Sequence, residues 1–527
     1  MSNEPLIRTE PLGGSALSRA GRAGRLPQWY RTAPSDADGW RSYARGVVDS
    51  VSPDWFDALK GAIAPSGMAA TRIGRSANGR GLVVTTGQQP GLFGGPLMTL
   101  IKAITARALA DAMAETTGLP VAPIFWAATD DADFEEAATI SVSLDGGARE
   151  LRLEQRSPVG TPMSRVMLDT DIVSFHAVMS DACGSAPHRA FLDGALSAFR
   201  DGATMGEAYV ALLRQVLEPL EIGVIDASHP DVIRAGNPLL HRAAVQGEAL
   251  AAAARRRSDE IVAAGFKPQV DEVPGLSMVF LNADGTKRRL PLIEATSINA
   301  TRDPFLSATV LLRPVLERSI LPTAAYVGGP GEFAYFAQVS AVAEQLGVPT
   351  PLVVPRWSAT IVEPRVQRIL DQLNVTVDDL ADPHAADRAI ARSRLSPDAA
   401  HAVESLRGDM KTDIDRLRRS TDGLVPEKVF EGLGHSLEHR LERLERRLLA
   451  GVKRREVDLM RQLATARGAL FPHGVRQERK LASIPFLARY GAPLLDRMLA
   501  EARVHARLLV AQPVSSLPPV ADAPVRV

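Results

Sequence analysis

A parallel, doubly wound α/β sheet with long insertions, followed by a helical hairpin, is the fold that this 527-residue chain predicts. Three observations predict it. Short β-branched apolar runs alternate with turn-rich loops and helical stretches from about residue 80. Two intervals in that rhythm, about 140–220 and 230–320, are too long for simple crossovers. Beyond about 385 the composition shifts to Arg, Glu, Leu and Asp with leucines at coiled-coil spacing.

The predicted strands are Leu82–Thr86, Val121–Thr129, Ile222–Ala227, Ala324–Val327 and Pro351–Val354. Continuous apolar runs of this length suit strands buried on both faces. In such a sheet ligands sit beyond the carboxyl ends of the strands, so the residues just after each run carry the functional argument. Residues 1–75, rich in Arg, Gly and Ser with Trp29, Trp40 and Trp55, read as a wrapping segment, and 76–382 as the core with both insertions. Within the second insertion, Leu276–Leu281 and Arg288–Leu292 flank an Asp-Gly turn and predict a two-stranded piece.

Residues 383–468 read as a coiled-coil hairpin. Leu437, Leu441, Leu444, Leu448 and Val452 form an a/d-like stripe, Leu406, Met410 and Leu417 a second one, and the Gly423–Pro426 break reverses the chain. The apolar seam is expected to meet a second copy in a homodimer. Residues 469–510 are expected to return to the core, and 511–527 to form a flexible tail.

Composition removes several classes of function. The 61 Lys and Arg balance 61 Asp and Glu, and aromatics are 5%, so neither a phosphate-tracking surface nor stacking platforms for nucleic acid are indicated. Cys183 is the single cysteine, which rules out an intrachain disulfide or a cysteine cluster, and no feature nearby would activate it. In the core, His176, His188, His229 and His241 share no metal-ligand spacing and no HExxH, so no metal site is predicted, and no GxSxG elbow is present. The opening Met-Ser-Asn-Glu-Pro lacks a basic, apolar leader, and no run of about 18 apolar residues occurs. The expectation is a cytoplasmic protein with no membrane partner.

Three segments could carry chemistry. The first is Thr85–Pro96, a strand end and glycine-dense loop containing Gln88, Gln89 and Gly91, ahead of a helix bearing Lys102. Strand, glycine loop and helix together offer backbone N–H groups and a positive dipole end to an anion. In the second, five acids in seven residues follow the Val121 run, and Asp130, Asp131 and Asp133 are candidates for holding or deprotonating an amine. The third joins Arg313 to a second glycine loop, Gly328 and Gly329, with Glu332 and Tyr335 in the next helical turn and Arg356 and Ser358 after the last strand. An arginine there suits a bidentate grip on a carboxylate or phosphate.

The ordered set TTGQQPGLFGGP, FW with its acidic run, LLRP, YVGGPGEFAYFAQ, PRWS and FPHGVRQER resembles the bacillithiol biosynthesis cysteine-adding enzymes over about residues 80–500. The resemblance implies a Rossmann-like core with connecting-peptide-like insertions and a dimerising coiled coil. It also implies ligation of the L-cysteine carboxylate to the amine of glucosaminyl-malate. ATP with Mg²⁺ is the expected energy source, because the condensation needs an activated carboxylate. In that setting Asp130, Asp131, Asp133 and Glu332 are the expected catalytic carboxylates. Gln88, Gln89, Gly91, Lys102, Arg313, Gly328, Gly329, Tyr335, Arg356 and Ser358 are the expected substrate contacts.

Two positions depart from the family pattern. Ala132 stands where the family's acidic loop carries His, and Thr309 where Asn is usual. The first departure leaves two other readings: a related ligase joining another amino acid to an amino-sugar conjugate, or a non-catalytic nucleotide- or metabolite-binding dimer.

Overall fold

The computed structural model describes residues 4–298 and 305–511. All five expected runs form strands of one sheet: β1 Leu82–Gln88, β2 Val121–Ala127, β3 Gly223–Asp226, β4 Thr323–Gly328 and β5 Val353–Pro355. Their order is β5-β4-β1-β2-β3, and every neighbouring pair is parallel. The chain builds outward from β1 to β3 and then returns to lay β4 on the other side of β1. The strand order therefore reverses between β1 and β4, the place where such sheets open a crevice.

Burial on both faces explains why these strands read as unbroken apolar runs. Helix α1, Leu97–Thr117, joins β1 to β2 and is buried on nearly every side, as its run of Ile, Leu and Ala requires. It ends at Gly118, whose φ of +72° closes the last turn in the left-handed region that glycine enters without a Cβ clash. Helix α2, Arg313–Ile320, precedes β4, and helix α3, Pro330–Gln345, follows it.

The chain divides into two compact units. One holds Ile7–Val142, Glu150–Ile361 and the segment from Glu478 on; the other holds Ser143–Arg149 and Val362–Gln477 with the first few residues. The expected boundary at 382 therefore shifts to 361. The reason is packing: Pro364–Leu373 is an amphipathic helix whose Val366, Ile369 and Leu370 cluster with Leu463, Ala466 and Leu470. Residues 469–477, expected to return to the core, stay with the helical unit, and the return begins at Glu478. The N-terminal region packs along the core. Trp55, Leu59, Ile63 and Ile73 share a core with Val83 and Ile124 of the sheet, while Leu17, Leu26 and Trp29 pack on Ala334 and Ala337 of α3.

In the second insertion the expected hairpin is Leu276–Ala283 paired antiparallel with Thr286–Pro291, and Leu306–Ala308 adds a third strand. The expected tail from 512 lies outside the described residues. In the helical unit, helix α4, Pro397–Ser420, and helix α5, Glu427–Arg455, run antiparallel. Arg407 pairs with Glu438 at 3.1 Å and Arg418 with Glu427 at 3.0 Å across them. Leu441 and Val452 turn inward as the stripe expects, but the seam passes through Leu449, while Leu448 is half-buried and Leu444 exposed. A straight helix drifts against a 3.5-residue repeat, which moves the buried stripe by one position. On α4, Val403 is buried instead of Leu406 and Leu417.

One ion pair fixes the returning segment to the sheet. Arg356, just past β5, donates from Nη1 to Glu478 Oε2 at 2.8 Å and from Nη2 to Oε1 at 2.7 Å, and the Ser358 hydroxyl donates to Oε2 at 3.0 Å. Burial pushes the Glu478 carboxyl up, but the Arg356 hydrogen bonds and charge outweigh it and hold the group below the usual range. Glu478→Ala leaves the arginine buried without an anion and is expected to cost about 3–5 kcal/mol. Thermal unfolding checks this, and an unchanged melting temperature contradicts it.

Candidate active site

At the carboxyl ends of β1 and β4 a buried lysine ties the two glycine loops together. Lys102 Nζ donates to Gly87 O at 2.7 Å and Gln88 Oε1 at 2.9 Å, and pairs with Glu332 Oε2 at 2.6 Å. Glu332 also accepts from the Gly329 N–H at 2.8 Å and from the Tyr326 hydroxyl. Burial raises the Glu332 carboxyl, yet the Lys102 charge and these hydrogen bonds hold it below the usual range. Burial draws the Lys102 ammonium down, with the charges of Arg313 and Arg356 adding to it and Glu332 opposing. The expected residues Gln88, Lys102, Gly329 and Glu332 thus do meet, but they spend their polar groups on one another.

Part of the first loop turns its amides inward. Gly94 and Gly95 donate to Gly91 O and Leu92 O, and the first amide of α1, on Leu97, donates to Leu481 O at 2.7 Å. These three N–H groups are therefore engaged inside the protein. Arg356 and Ser358 also lose their expected role, since Glu478 takes both of them up.

Arg313 behaves differently. Its Nη2 donates to the hydroxyls of Tyr335 at 3.1 Å and Tyr326 at 3.3 Å, and no carboxylate lies within ion-pair distance among the described residues. The guanidinium reaches the end of β1 because Gly87 leaves room: a Cβ there would stand 2.9 Å from Trp126 O and 3.0 Å from Arg313 Nη1. One turn along α2, Glu317 is 1% exposed, its Oε1 accepts from the Thr85 hydroxyl, and its Oε2 has no partner. Burial pushes this carboxyl up to about 7, with the Arg313 charge opposing.

Arg313 also lines a cavity of about 610 Å³ over the ends of β2 and β3. Trp126, Thr129, Asp130 and Asp226 share its wall, with Arg165 and the Asn282–Thr286 tip of the insertion hairpin around it. A space of this size is in the range of small-molecule sites. Of the expected residues, only Arg313 and Asp130 line it. Asp130 is already engaged, its carbonyl taking Lys287 Nζ at 2.8 Å and its carboxylate the same ammonium at 3.3 Å.

Asp131 and Asp133, expected as bases, are turn formers here. Asp131 Oδ1 accepts from Asp133 N at 3.0 Å, and Asp133 caps the single turn Phe134–Ala137 by accepting from Glu136 N at 3.2 Å. Gln88 donates to Glu136 at 3.0 Å, which brings this loop beside the first glycine loop but not into the cavity. Cys183, given no role, is buried, and burial pushes its thiol up to about 11.

Sequence reasoning missed Asp226, Ser228 and Glu317. Asp226 sits at the end of β3, where the strand-end rule already pointed. Glu317 lies four residues beyond Arg313, on the same face of α2.

An open parallel sheet in 3-2-1-4-5 order, with a ligand-sized cavity outside its strand ends and a separate helical hairpin, defines a Rossmann-like small-molecule protein with a coiled-coil unit. The chain belongs to the bacillithiol biosynthesis BshC family: its N-terminal Rossmann-like domain matches residues 59–357 and its C-terminal coiled-coil domain residues 359–507. A relative from Koribacter versatilis is 30% identical over 482 residues, covering 87% of this chain and 88% of its own. Relatives from Solibacter usitatus and Symbiobacterium thermophilum are 28% and 27% identical, covering 86% and 94% of this chain and 88% and 98% of their own. All three carry the name "Putative cysteine ligase BshC".

The raised Glu317 carboxyl means that the folded protein keeps a proton that the unfolded chain releases, so its contribution to stability is lost as pH rises from 4.5 towards about 7. Glu317→Gln removes that loss. Relative to wild type, the variant is expected to gain up to about 3 kcal/mol across this window. Denaturation curves at stepped pH check this, and parallel pH profiles contradict it.

Proposed function

We propose that this protein is a carbon–nitrogen ligase that joins the carboxylate of L-cysteine to the amine of glucosaminyl-malate, yielding bacillithiol. Membership of the BshC family and the name shared by its relatives favour cysteine over another amino acid. They also favour catalysis over binding alone. The observation that carries the reading to particular residues is Arg313, a cation in the wall of a ligand-sized cavity with no carboxylate of its own. The charges of Glu317 and Glu332 favour the Arg313 cation from beyond ion-pair distance, and both proposed substrates supply a carboxylate for direct pairing.

Forming the amide removes an oxygen from the carboxylate and protons from the nitrogen, so the carboxylate must be activated. ATP with Mg²⁺ is our proposed source of that free energy. No residue is assigned to its phosphates. The tie between Lys102 and Glu332 has a positioning role: it fixes the strand ends beside which Arg313 is held.

We further propose a cytoplasmic homodimer assembled through the helical hairpin. Support comes from Leu406, Leu417, Leu433 and Leu444, which are exposed along α4 and α5. No helix among the described residues is long and apolar enough to cross a membrane.

Purified protein with L-cysteine, glucosaminyl-malate and ATP-Mg²⁺ is expected to give the bacillithiol mass by mass spectrometry; no cysteine-dependent product contradicts the reading. Arg313→Lys, which keeps charge but loses the fork, is expected to lower kcat/KM by a factor worth about 2–4 kcal/mol with the fold intact. Unchanged kinetics remove Arg313 from the site. Leu444→Glu is expected to turn a dimer into a monomer in light scattering, whereas a persistent dimer places the interface elsewhere.

A further inference from the structure

Across the cavity floor from the ends of β2 and β3 stands a carboxylate that is only half used. Asp226 Oδ1 accepts from the Thr129 hydroxyl and from the Ser228 N–H at 3.0 Å. Thr129 and Ser228 are locked in turn, since the Ser228 N–H also reaches the Thr129 hydroxyl at 3.0 Å. Oδ2 has no hydrogen-bond or ion-pair partner among the described residues, and the residue lines the cavity. Arg214 exerts a charge on Asp226 from beyond ion-pair distance, and its Nη2 is held by Ala62 O at 2.8 Å.

The register explains why this oxygen is available. Asp226 pairs with Ala127 at the last rung of the sheet, so its side chain emerges where β3 stops and the insertion begins. Two hydrogen bonds on one oxygen fix the rotamer and leave the other lone pairs directed away from those donors. The same wall contains Trp126, whose indole N–H is buried without an acceptor, and Arg313, the cation without a carboxylate. One cavity thus holds a fixed anion and an unpaired cation that do not pair with each other. Such an arrangement complements a zwitterion, with a carboxylate for the guanidinium and an ammonium for the aspartate.

We propose that Asp226 is the ammonium-binding residue of an α-amino-acid subsite in this cavity, with Arg313 taking the amino acid's carboxylate. The inference rests on the reading of the protein as an amino-acid ligase and assigns the amino acid's place within it. Asp226 accepts a charge-assisted hydrogen bond from the α-ammonium, and Thr129 and Ser228 are positioning residues that hold the carboxylate for it. No bond is made or broken at Asp226.

Isothermal titration calorimetry with the full-length protein tests this, using L-cysteine and 3-mercaptopropionate, which lacks only the ammonium. Wild type is expected to bind L-cysteine roughly 10- to 100-fold more tightly than 3-mercaptopropionate, the worth of one charged hydrogen bond. Asp226→Asn, which keeps the shape and the Thr129 contact, is expected to lose that preference while binding 3-mercaptopropionate as wild type does. Equal binding of the two ligands by wild type overturns the proposal without any variant. So does a folded Asp226→Asn protein that still prefers L-cysteine. If wild type shows the preference and the variant loses it, yet no ligation product forms, the subsite stands and the ligase reading falls.

Discussion

Charge buried at the carboxyl edge of the sheet must find opposite charge, and that constraint organises this molecule. Three cations converge there: Lys102, Arg313 and Arg356, near enough for the charges of both arginines to be felt at Lys102. Lys102 is answered by Glu332 and Arg356 by Glu478, each pair nearly or fully desolvated. The two pairs cross-link parts of the chain that a sheet alone would leave independent: the loops after β1 and β4 in one case, β5 and the C-terminal return in the other. Arg313 is the exception. Two phenols hold its orientation without neutralising it, and it is the cation that borders the cavity.

This division of labour decides which motifs are architecture and which are site. Glycine loops at strand ends invite a phosphate-cradle interpretation, because exposed N–H groups at a helix start attract anions. Here the Gly94 and Gly95 amides are taken up by the loop itself and the Leu97 amide by Leu481, so these two glycines serve tight turning. Gly94 and Gly95, with φ of +88° and +74°, are the positions where that turning demands glycine. The insertions perform the complementary task. Arg165 and the hairpin tip near Asp284 stand over the open ends of β2 and β3 and make a hollow out of what would be a flat strand edge.

The sheet was legible in the sequence because strands buried on both faces leave a local mark, a short unbroken β-branched run. The helical hairpin was legible for the same kind of reason, a periodic stripe, although the change from Leu448 to Leu449 shows that periodicity locates a face only to within a residue. What the sequence hid was long-range pairing. Arg356 and Glu478 are 122 positions apart, and nothing local distinguishes an arginine that will meet a buried glutamate from one left for a ligand. The acidic loop hid its pairing in the same way: of five acids in seven residues, Asp131 and Asp133 accept backbone N–H groups in their own turns. Asp226 carries no motif at all and becomes visible only when β2 and β3 are side by side. The family resemblance supplied the expected reaction, and the partner of each candidate residue became visible only in the fold.

The place of the substrate carboxylate is the most direct test. A crystal structure of the protein soaked with glucosaminyl-malate or L-cysteine should place a carboxylate within about 3 Å of the Arg313 guanidinium, inside the cavity over β2 and β3. Density for the substrate at any other place, with Arg313 still bonded only to Tyr326 and Tyr335, would contradict it.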